Sequence, residues 1–385
     1  MVGAHRGESV VTKNIVFVLH GIGQYTDGWI DMESCAVPAL KKAAKSYSFF
    51  EGKSLDSFVE FVPILYDDVF ERITQHWADL GEGLSSSVPL MPKFAKKVVD
   101  LMKQAGDDKW TLKTGADVAL YWGFRLFQQR VVLRVLAQIS TRVADTIGAG
   151  PVLPEYHVLA HSMGTAVAHD ALHHLGTESW LAQLKKAEFG DADADAAKAD
   201  RAEYLDGHGR FAQLRDNPFN PRTFKFSSIT MLSNVSGLIH PSASPYESIV
   251  RPGSATDNNA YATNYFNVNH KFDPISLIGN FEMPAGWEFA NGFDLELDHL
   301  VGNVEQIHDA AHYISHPNVH LRLLTQYVDS YSPTADDVSQ VEAFQNKNGI
   351  KPQSLNAAKS FLKGDVGPLG ELVSKLRVLS RLVEE

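Results

Sequence analysis

The chain has 385 residues, of which 44% are hydrophobic and 21% charged, ordinary values for a globular protein with a large core. Its 35 basic and 46 acidic residues give a formal net charge of −11. This charge argues against a nucleic-acid-binding protein, because such binding depends on a basic surface that neutralises phosphates. The single cysteine, Cys35, cannot form an intramolecular disulfide, so we expect a reducing compartment, the cytoplasm.

No segment of the sequence is predicted to span a membrane. Residues 1–13 are polar and lack the apolar run of a secretory signal. The most apolar long stretch, residues 116–139, is interrupted by Arg125, Arg130 and Arg134, whose charges are costly in hydrocarbon. We therefore expect a soluble protein without an integral membrane segment.

Strands and helices are predicted to alternate along the chain. Asn14–Leu19 is a short, continuous apolar run, which is typical of a strand buried on both faces. Further strands are predicted over residues 57–65, 155–160, 225–233 and 264–269 and within 293–304. Helices are predicted over residues 34–47 and 165–175 and from about residue 308. This alternation predicts an α/β fold, with a mostly parallel central sheet flanked by helices.

Two segments interrupt the alternation. Residues 67–150 form a long, mostly helical excursion, which we interpret as a cap or lid whose apolar side chains line an acyl pocket. Its helices within residues 117–147 are expected to turn their Arg and Gln side chains to water. Residues 176–220 are rich in charge and alanine and predict a solvated helix-loop insertion. Because no linker divides the chain, residues 1–385 are interpreted as a single domain carrying both insertions.

The segment Ala160-His161-Ser162-Met163-Gly164 joins a predicted strand to a predicted helix. A serine hydroxyl is a poor nucleophile unless it is held where a histidine can take its proton. A tight strand-to-helix turn holds it so, and it needs small residues two positions before and two after the serine. Ala160 and Gly164 occupy these positions, so Ser162 is the predicted nucleophile. The alternative is an ordinary serine at a helix N-cap.

A second glycine-containing turn, His20-Gly21-Ile22-Gly23-Gln24, follows the first strand. Acyl transfer creates an oxyanion, which two preorganised main-chain N–H groups can stabilise. In a strand–serine–helix arrangement one donor is the residue after the serine, here Met163, and the other comes from the loop after the early strand. Ile22 is the expected second donor, with Gly23 as the alternative. The turn completes neither G-x-G-x-x-G nor a P-loop, so nucleotide binding is not expected.

Together these motifs resemble the α/β-hydrolase superfamily, in its lipase and esterase branch. The H-G-x-G loop at residues 20–23 and the A-H-S-M-G turn at residues 160–164 are similar to those of small bacterial lipases. Residues 117–121 are similar to a segment of intracellular phospholipases with the same core. The resemblance covers the sheet and its site. It implies an α/β-hydrolase fold and a catalytic triad in the chain order nucleophile, acid, histidine.

The resemblance places the acid on the loop that follows the strand at residues 264–269. Asp273 lies there, and the Asp-Pro dipeptide that it forms with Pro274 favours a turn. Its role would be to accept the Nδ1–H of the histidine and to stabilise the imidazolium. The alternatives are Asp257, Asp294 and Asp298, or, on an earlier strand, Asp67 or Asp68.

The resemblance places the histidine in the loop after the last strand, close to the start of the final core helix. His308 fits this place best, with His312 and then His299 as alternatives. A histidine suits the role because its unperturbed pKa lies near neutral pH. The side chains expected to line the site are His20, Gly23, His161 and His312.

The spacing of His308, His312 and His316 would place three imidazoles on one helical face, where they could bind zinc. The protease pattern H-E-x-x-H is absent, however, so neither a metal nor a cofactor is expected. The sequence therefore predicts a serine hydrolase that cleaves carboxylic esters, with a small acyl ester or a lipid as its substrate. The alternatives are a phospholipid or thioester substrate, or a non-catalytic relative that binds a ligand. The oligomeric state is not predicted.

Overall fold

A six-stranded parallel sheet forms the centre of the molecule. The computed structural model describes residues 13–21, 28–69, 72, 125–147, 153–175, 194–214, 224–239, 250–254, 256–273, 281–287, 291–301 and 306–349. Within them the strands are β1 (Asn14–Leu19), β2 (Val59–Ile64), β3 (Tyr156–His161), β4 (Phe226–Leu232), β5 (Ala262–His270) and β6 (Gly292–Leu297). Their order in the sheet is β2-β1-β3-β4-β5-β6, and every neighbouring pair is parallel.

Helices flank the sheet on both faces. In chain order they are α1 (Ala36–Ala44), α2 (Arg125–Ile147), α3 (Met163–His174), α4 (Ala194–Leu214), α5 (Ser236–Ile239), α6 (Ala310–Ser315), α7 (Pro317–Tyr327) and α8 (Ala335–Asn348). Short 3-10 turns occupy Trp29–Asp31, Ser48–Phe50 and Leu55–Ser57. The predicted α/β fold, a parallel sheet with flanking helices, is confirmed, and each predicted strand is found.

The alternation of side chains along β1 explains the two helical layers. All six residues of β1 are buried, and successive side chains of a strand point to opposite faces of the sheet. Ile15, Phe17 and Leu19 belong to a core that they share with α2 and α3. Val16 and Val18 belong to a second core, shared with α1, α6 and α7. A continuous apolar run is therefore what a central strand covered on both sides requires.

One expectation about α2 is wrong. The Arg side chains of this helix were expected to face water, yet Arg130 is only 3% exposed. Its guanidinium lies 2.5 Å from the carboxylate of Asp200 on α4, and Arg134 contacts the same carboxylate at 2.6 Å. Burial of a charge is tolerated when an opposite charge accompanies it. The charged segment that supplies Asp200 is thus packed against α2 along part of its length.

Much of the two predicted insertions lies outside the described residues. Of residues 67–150 the structure describes 67–69, 72 and 125–147, and the last of these ranges packs on the sheet as α2. The phospholipase-like segment at 117–121 is outside, and of residues 176–220 only 194–214 are described. The single domain and the cap therefore stay predictions. Among the described helices, none combines the length and the apolar character needed to cross a bilayer.

The strand order creates a switch point between β1 and β3. The chain passes from β1 to β2 on one side, and then continues with β3 to β6 on the other side. Open parallel sheets bind their ligands in the crevice outside the carboxyl ends of the strands at such a point. His20 and Gly21 follow β1 there, and Ser162 follows β3. These residues therefore lie where sheets of this kind bind their ligands.

Candidate active site

Ser162 occupies a strained turn between β3 and α3. Its backbone has φ 55° and ψ −130°, an unusual conformation for a residue other than glycine. The Ser162 N–H donates to the carbonyl of Leu232, and the Ser162 carbonyl accepts hydrogen bonds from the N–H and the hydroxyl of Thr165. The Ser162 side chain makes no capping hydrogen bond to α3. The main chain thus holds the turn, and the hydroxyl is left for other partners.

Two glycines allow the turn to pack closely against the end of β1. A Cβ atom added to Gly164 would lie 2.3 Å from the His20 carbonyl oxygen and 2.8 Å from that of Leu19. A Cβ atom added to Gly21 would lie 2.9 Å from Cβ and 3.2 Å from Oγ of Ser162. A Cβ atom fits at neither position unless its neighbours move, and at Gly164 those neighbours are main-chain oxygens.

Ser162, His308 and Asp273 form one hydrogen-bonded series. Oγ of Ser162 lies 2.9 Å from Nε2 of His308, and Nδ1 of the same imidazole lies 2.8 Å from Oδ2 and 3.0 Å from Oδ1 of Asp273. A carboxylate can only accept, so the His308 proton is on Nδ1 and Nε2 is free to accept the Ser162 hydroxyl proton. Asp273 follows β5 and His308 precedes α6, so three separate carboxyl-end loops supply the series.

The carboxylate of Asp273 is fully buried and heavily hydrogen-bonded. Besides His308, the hydroxyls of Ser233 and Tyr313 donate to its Oδ2, at 2.7 and 2.5 Å. Burial alone would raise the pKa of Asp273, but the nearby imidazole and these hydrogen bonds together hold it well below its usual value. Asp273 is therefore ionised at neutral pH and presents a fixed negative charge to His308.

Two further histidines lie close to the series. His161 lies with its ring centroid 4.9 Å from that of His308. The imidazole of His20 stacks on Tyr66, at 4.5 Å between centroids, and its Nε2 lies 3.5 Å from the carboxylate of Asp67. Burial lowers the pKa of both His20 and His161 to about 3. Both rings are therefore neutral at pH 7 and add no positive charge beside His308.

Only one of the expected oxyanion donors can be located. Met163 is the first residue of α3, where a main-chain N–H has no partner within its own helix. This N–H belongs to the residue directly after Ser162, at the positive end of the helix dipole. Ile22 and Gly23 lie outside the described residues, so the second donor stays a prediction.

A small cavity of about 70 Å³ opens beside Ser162. Although Ser162 is only 3% exposed, it is one of the residues that form the cavity wall. Other residues of the wall are His20, Gly21, Trp29, Ser34, Cys35, His161, His308 and Asp309. The hydroxyl of Ser162 and the imidazole of His308 therefore face a common space.

The alternatives named for the acid and the base lie elsewhere. Asp257 pairs with Arg251, Asp294 accepts from the amide of Asn267, and Asp67 lies beside His20. Asp68 pairs with arginines, and Asp298 is exposed. His299 and His312 stack on each other, with centroids 4.4 Å apart. Of these candidates, the structure brings only Asp273 and His308 into the series with Ser162.

The helical face of His308, His312 and His316, which was considered for zinc and not favoured, is not formed. Helix α6 spans Ala310–Ser315, so His308 precedes it and His316 lies after its end. His316 instead caps α7, where its Nδ1 accepts from the N–H of Asn318. His316 does not continue α6, because Pro317 follows it and the residue before a proline disfavours helical backbone.

Ser233 and Tyr313, which support Asp273, were missed in the sequence. Ser233 directly follows β4 and has φ 49°, and its Oγ also lies 3.4 Å from Nδ1 of His308. Its place at the carboxyl end of a central strand is a signal that could have identified it. Tyr313 lies within α6 and carries no such signal.

No protein-family model matches the chain, and no match to it was found among curated proteins or solved structures. The chemistry of the site therefore has to be inferred from its geometry.

Proposed function

We propose that the chain is a serine hydrolase of the α/β-hydrolase type, which cleaves carboxylic esters with Ser162 as nucleophile. The observation that supports this most strongly is the series Ser162 Oγ to His308 Nε2, 2.9 Å, and His308 Nδ1 to Asp273, 2.8 Å. The chain order of these three residues and the strained strand-to-helix turn also agree with the α/β-hydrolase pattern. The same three roles recur in unrelated hydrolases, because the chemistry depends on this geometry.

In the proposed acylation step, Oγ of Ser162 attacks the ester carbonyl carbon while Nε2 of His308 takes the hydroxyl proton. The C=O π electrons move to the oxygen, which becomes the oxyanion of a tetrahedral intermediate. The imidazolium that forms is stabilised by the ionised Asp273. When the intermediate collapses, the bond to the leaving alkoxide breaks and His308 returns the proton to it. The products are an alcohol and an acyl group on Ser162.

The main-chain N–H of Met163 is the proposed first donor to the oxyanion, and Ile22 the second. Preorganised donors of this kind cost no reorganisation during the reaction, and removal of one donor costs about 10²–10³ in kcat in hydrolases of known mechanism. In the deacylation step a water molecule replaces the alcohol. Its oxygen attacks the acyl carbon while His308 takes its proton, and when the acyl–Ser162 bond breaks His308 returns the proton to Oγ. The products are the carboxylic acid and the free Ser162 hydroxyl.

The size of the cavity beside Ser162 favours a small acyl group. Its volume of about 70 Å³ has room for roughly five groups of the size of water, since each needs about 10–15 Å³ of such space. An acetyl or propionyl ester fits this space, and we propose such esters as the preferred substrate class. Long-chain lipid, phospholipid and thioester substrates are the alternatives that a substrate series would distinguish.

The proposal is tested with a fluorophosphonate probe, which reacts with an activated serine. We expect labelling of the purified wild-type chain and none of Ser162→Ala. Ser34→Ala is the matched control, since Ser34 lines the same cavity without belonging to the series. Hydrolysis of p-nitrophenyl esters of increasing chain length should show the same dependence on Ser162. Labelling that persists in Ser162→Ala, or a wild type that neither reacts nor hydrolyses, would favour a non-catalytic binding protein instead.

A further inference from the structure

Three buried histidines gather at the carboxyl ends of β5 and β6, outside the series that contains Ser162. His270 is the last residue of β5, His299 lies two residues after β6, and His312 belongs to α6. One ring nitrogen from each residue lies within 4.8 Å of those of the other two. None of the three side chains is more than 5% exposed. We call these three residues the histidine cluster.

Several ring nitrogens of the histidine cluster have no hydrogen-bond partner. Nδ1 of His299 and both ring nitrogens of His312 are buried without one among the residues that the structure describes. Buried polar atoms are nearly always satisfied, and an exception calls for an explanation such as a bound ion. The carbonyls of His299 and Val301 influence the pKa of His312 but do not meet the geometry of a hydrogen bond to it. The cluster therefore has unused ligating capacity.

The remaining hydrogen bonds orient two of the rings as they would be in a metal site. Nε2 of His270 donates to the main-chain carbonyl of His299 at 2.8 Å. Nε2 of His299 lies 3.2 Å from the main-chain carbonyl oxygen of His312. Because a carbonyl only accepts, both rings carry their proton on Nε2 and keep a lone pair on Nδ1. Metal-binding histidines commonly donate their outer N–H to a carbonyl in this way. Nδ1 of His270 accepts a hydrogen bond of 3.2 Å from Phe272 N–H, which an ion would replace.

The rings of the cluster are also in the protonation state that a metal requires. Burial lowers the pKa of His270 to about 4 and that of His299 to about 2, and it lowers that of His312 as well. All three are therefore neutral at pH 7, so that protons do not compete with a metal ion. The charge of Asp273 acts on both His270 and His312 and would offset part of the charge of a cation.

We propose that His270, His299 and His312 bind a divalent transition-metal ion, with zinc as the preferred one. Imidazole nitrogen suits zinc, and three histidines with a fourth position left for water form a known zinc coordination. Zn–N bonds of about 2.0–2.1 Å require the three nitrogens to draw together. The stacked rings of His299 and His312, 7° from parallel, cannot both point their lone pairs at one ion. The His312 ring, which no hydrogen bond holds, must therefore turn on binding.

The site shares no ligand with the series Ser162–His308–Asp273, so its test does not depend on ester hydrolysis. The test uses the full-length chain, freed of metal by dialysis against EDTA and then titrated with Zn²⁺ in a calorimeter at pH 7.5. We expect one equivalent per chain and a rise in Tm with Zn²⁺. His299→Gln and His312→Gln should each weaken Zn²⁺ binding about 100-fold or more. This exceeds the roughly 10–100-fold loss that is typical when a residue that only hydrogen-bonds to a metal ligand is replaced.

The matched control is His157→Gln, which changes an equally buried histidine of β3 outside the cluster. It should bind Zn²⁺ as the wild type does. A second measurement needs no variant: Co²⁺ added to the wild type should give a tetrahedral visible spectrum and three paramagnetically shifted imidazole N–H signals. The proposal is overturned if the wild type binds neither ion, if fewer than three such signals are seen, or if His157→Gln weakens binding as much as His299→Gln.

Discussion

Nε2 of His161 donates a hydrogen bond of 2.7 Å to the main-chain carbonyl of His308. A carbonyl only accepts, so His161 is the Nε2–H tautomer. Burial, the nearby His308 ring and other groups lower the pKa of His161 to about 3, so the ring stays neutral through the physiological range. His161 thus contacts the main chain of the proposed base and places no charge beside it, and we propose that it acts as a positioning residue.

We expect His161→Phe to lower kcat for p-nitrophenyl acetate about tenfold, the effect of one lost hydrogen bond of roughly 1.4 kcal/mol. KM should change little, because the contact does not involve the substrate. His161→Gln should recover most of kcat, since its amide can still donate to the His308 carbonyl. Steady-state kinetics on both variants, corrected for the folded fraction, checks this. Equal losses in the two variants would assign His161 a packing role only.

A second expectation concerns the hydroxyl of Tyr313. It donates to Asp273 at 2.5 Å, and its removal leaves a buried carboxylate oxygen with one partner fewer. Tyr313→Phe should raise the pKa of Asp273, destabilise the fold by about 1–3 kcal/mol and lower kcat several-fold. Chemical denaturation and ester hydrolysis measure the two effects.

The matched variant is Tyr331→Phe, which removes a hydroxyl from a different carboxylate, Asp337, remote from the site. It should cost stability without a change in kcat. If both tyrosine variants leave kcat unaltered, the hydrogen bond from Tyr313 does not contribute to the proposed chemistry.

Replacing Gly21 or Gly164 by alanine is expected to have different effects, because an added Cβ would meet different atoms at the two positions. In Gly164→Ala the new Cβ meets main-chain oxygens that cannot move away, so we expect a loss of about 1–3 kcal/mol or more in the free energy of unfolding. In Gly21→Ala the new Cβ meets Cβ and Oγ of Ser162, at 2.9 and 3.2 Å, so Ser162 itself must be displaced. That chain should fold but lose about 10²-fold in kcat, since displacements near 1 Å have such effects.

The control for both glycines is Gly209→Ala. An added Cβ meets nothing within 4 Å there, and Gly209 lies within α4, where alanine is favoured over glycine by about 1 kcal/mol. It should be at least as stable as the wild type and fully active. A Gly21→Ala chain with unchanged kcat would contradict the packing of Gly21 on Ser162.

Stability should fall as the pH is lowered from about 6.5 to 4. Burial lowers the pKa of His157 to about 3, so below pH 6.5 the unfolded chain binds a proton that the folded chain does not. Proton binding then stabilises the unfolded state relative to the folded one, by about 2 kcal/mol at pH 5 for this residue. Asp273 also makes stability fall as the pH is lowered, because its hydrogen bonds and His308 stabilise the charged carboxylate in the folded chain. Its effect begins only below about pH 4.

Urea denaturation at pH 7.5 and pH 5 measures this dependence. The wild type should lose more stability between the two pH values than His157→Gln, which cannot titrate at that position. His157→Gln loses a hydrogen bond to Ser228 at both pH values, so the comparison rests on the difference between them. Identical differences in the two chains would mean that His157 is not held neutral.

The apolar runs located the strands, but the order of the strands was not predictable from them. A run such as Asn14–Leu19 shows that a strand is buried on both faces, yet contains nothing about which strands lie beside it. The switch point between β1 and β3 became visible only in the sheet. In the same way, the charge of Arg130 predicted exposure to water. Its partner Asp200 is 70 residues away and in another helix, so the sequence did not reveal the ion pair that allows Arg130 to be buried.

For the site, the sequence named Ser162, Asp273 and His308 together with several competitors. The motif around Ser162 is local and therefore readable, whereas the acid and the base were placed by a resemblance and by chain order. His308 fitted the expected place best, but His312 and His299 remained alternatives, and only the structure shows that His308 lies next to Ser162. The catalytic roles of these residues stay predictions until they are tested.

The most direct test of the central proposal is to trap the acyl-enzyme. The wild type is mixed with an excess of p-nitrophenyl acetate at low pH, quenched with acid, digested and examined by mass spectrometry. We expect an added acetyl group on the peptide that contains Ser162, and none in His308→Ala, where no base activates the hydroxyl. Acetylation at another residue, or unchanged hydrolysis by Ser162→Ala, would contradict the assignment of Ser162 as the nucleophile.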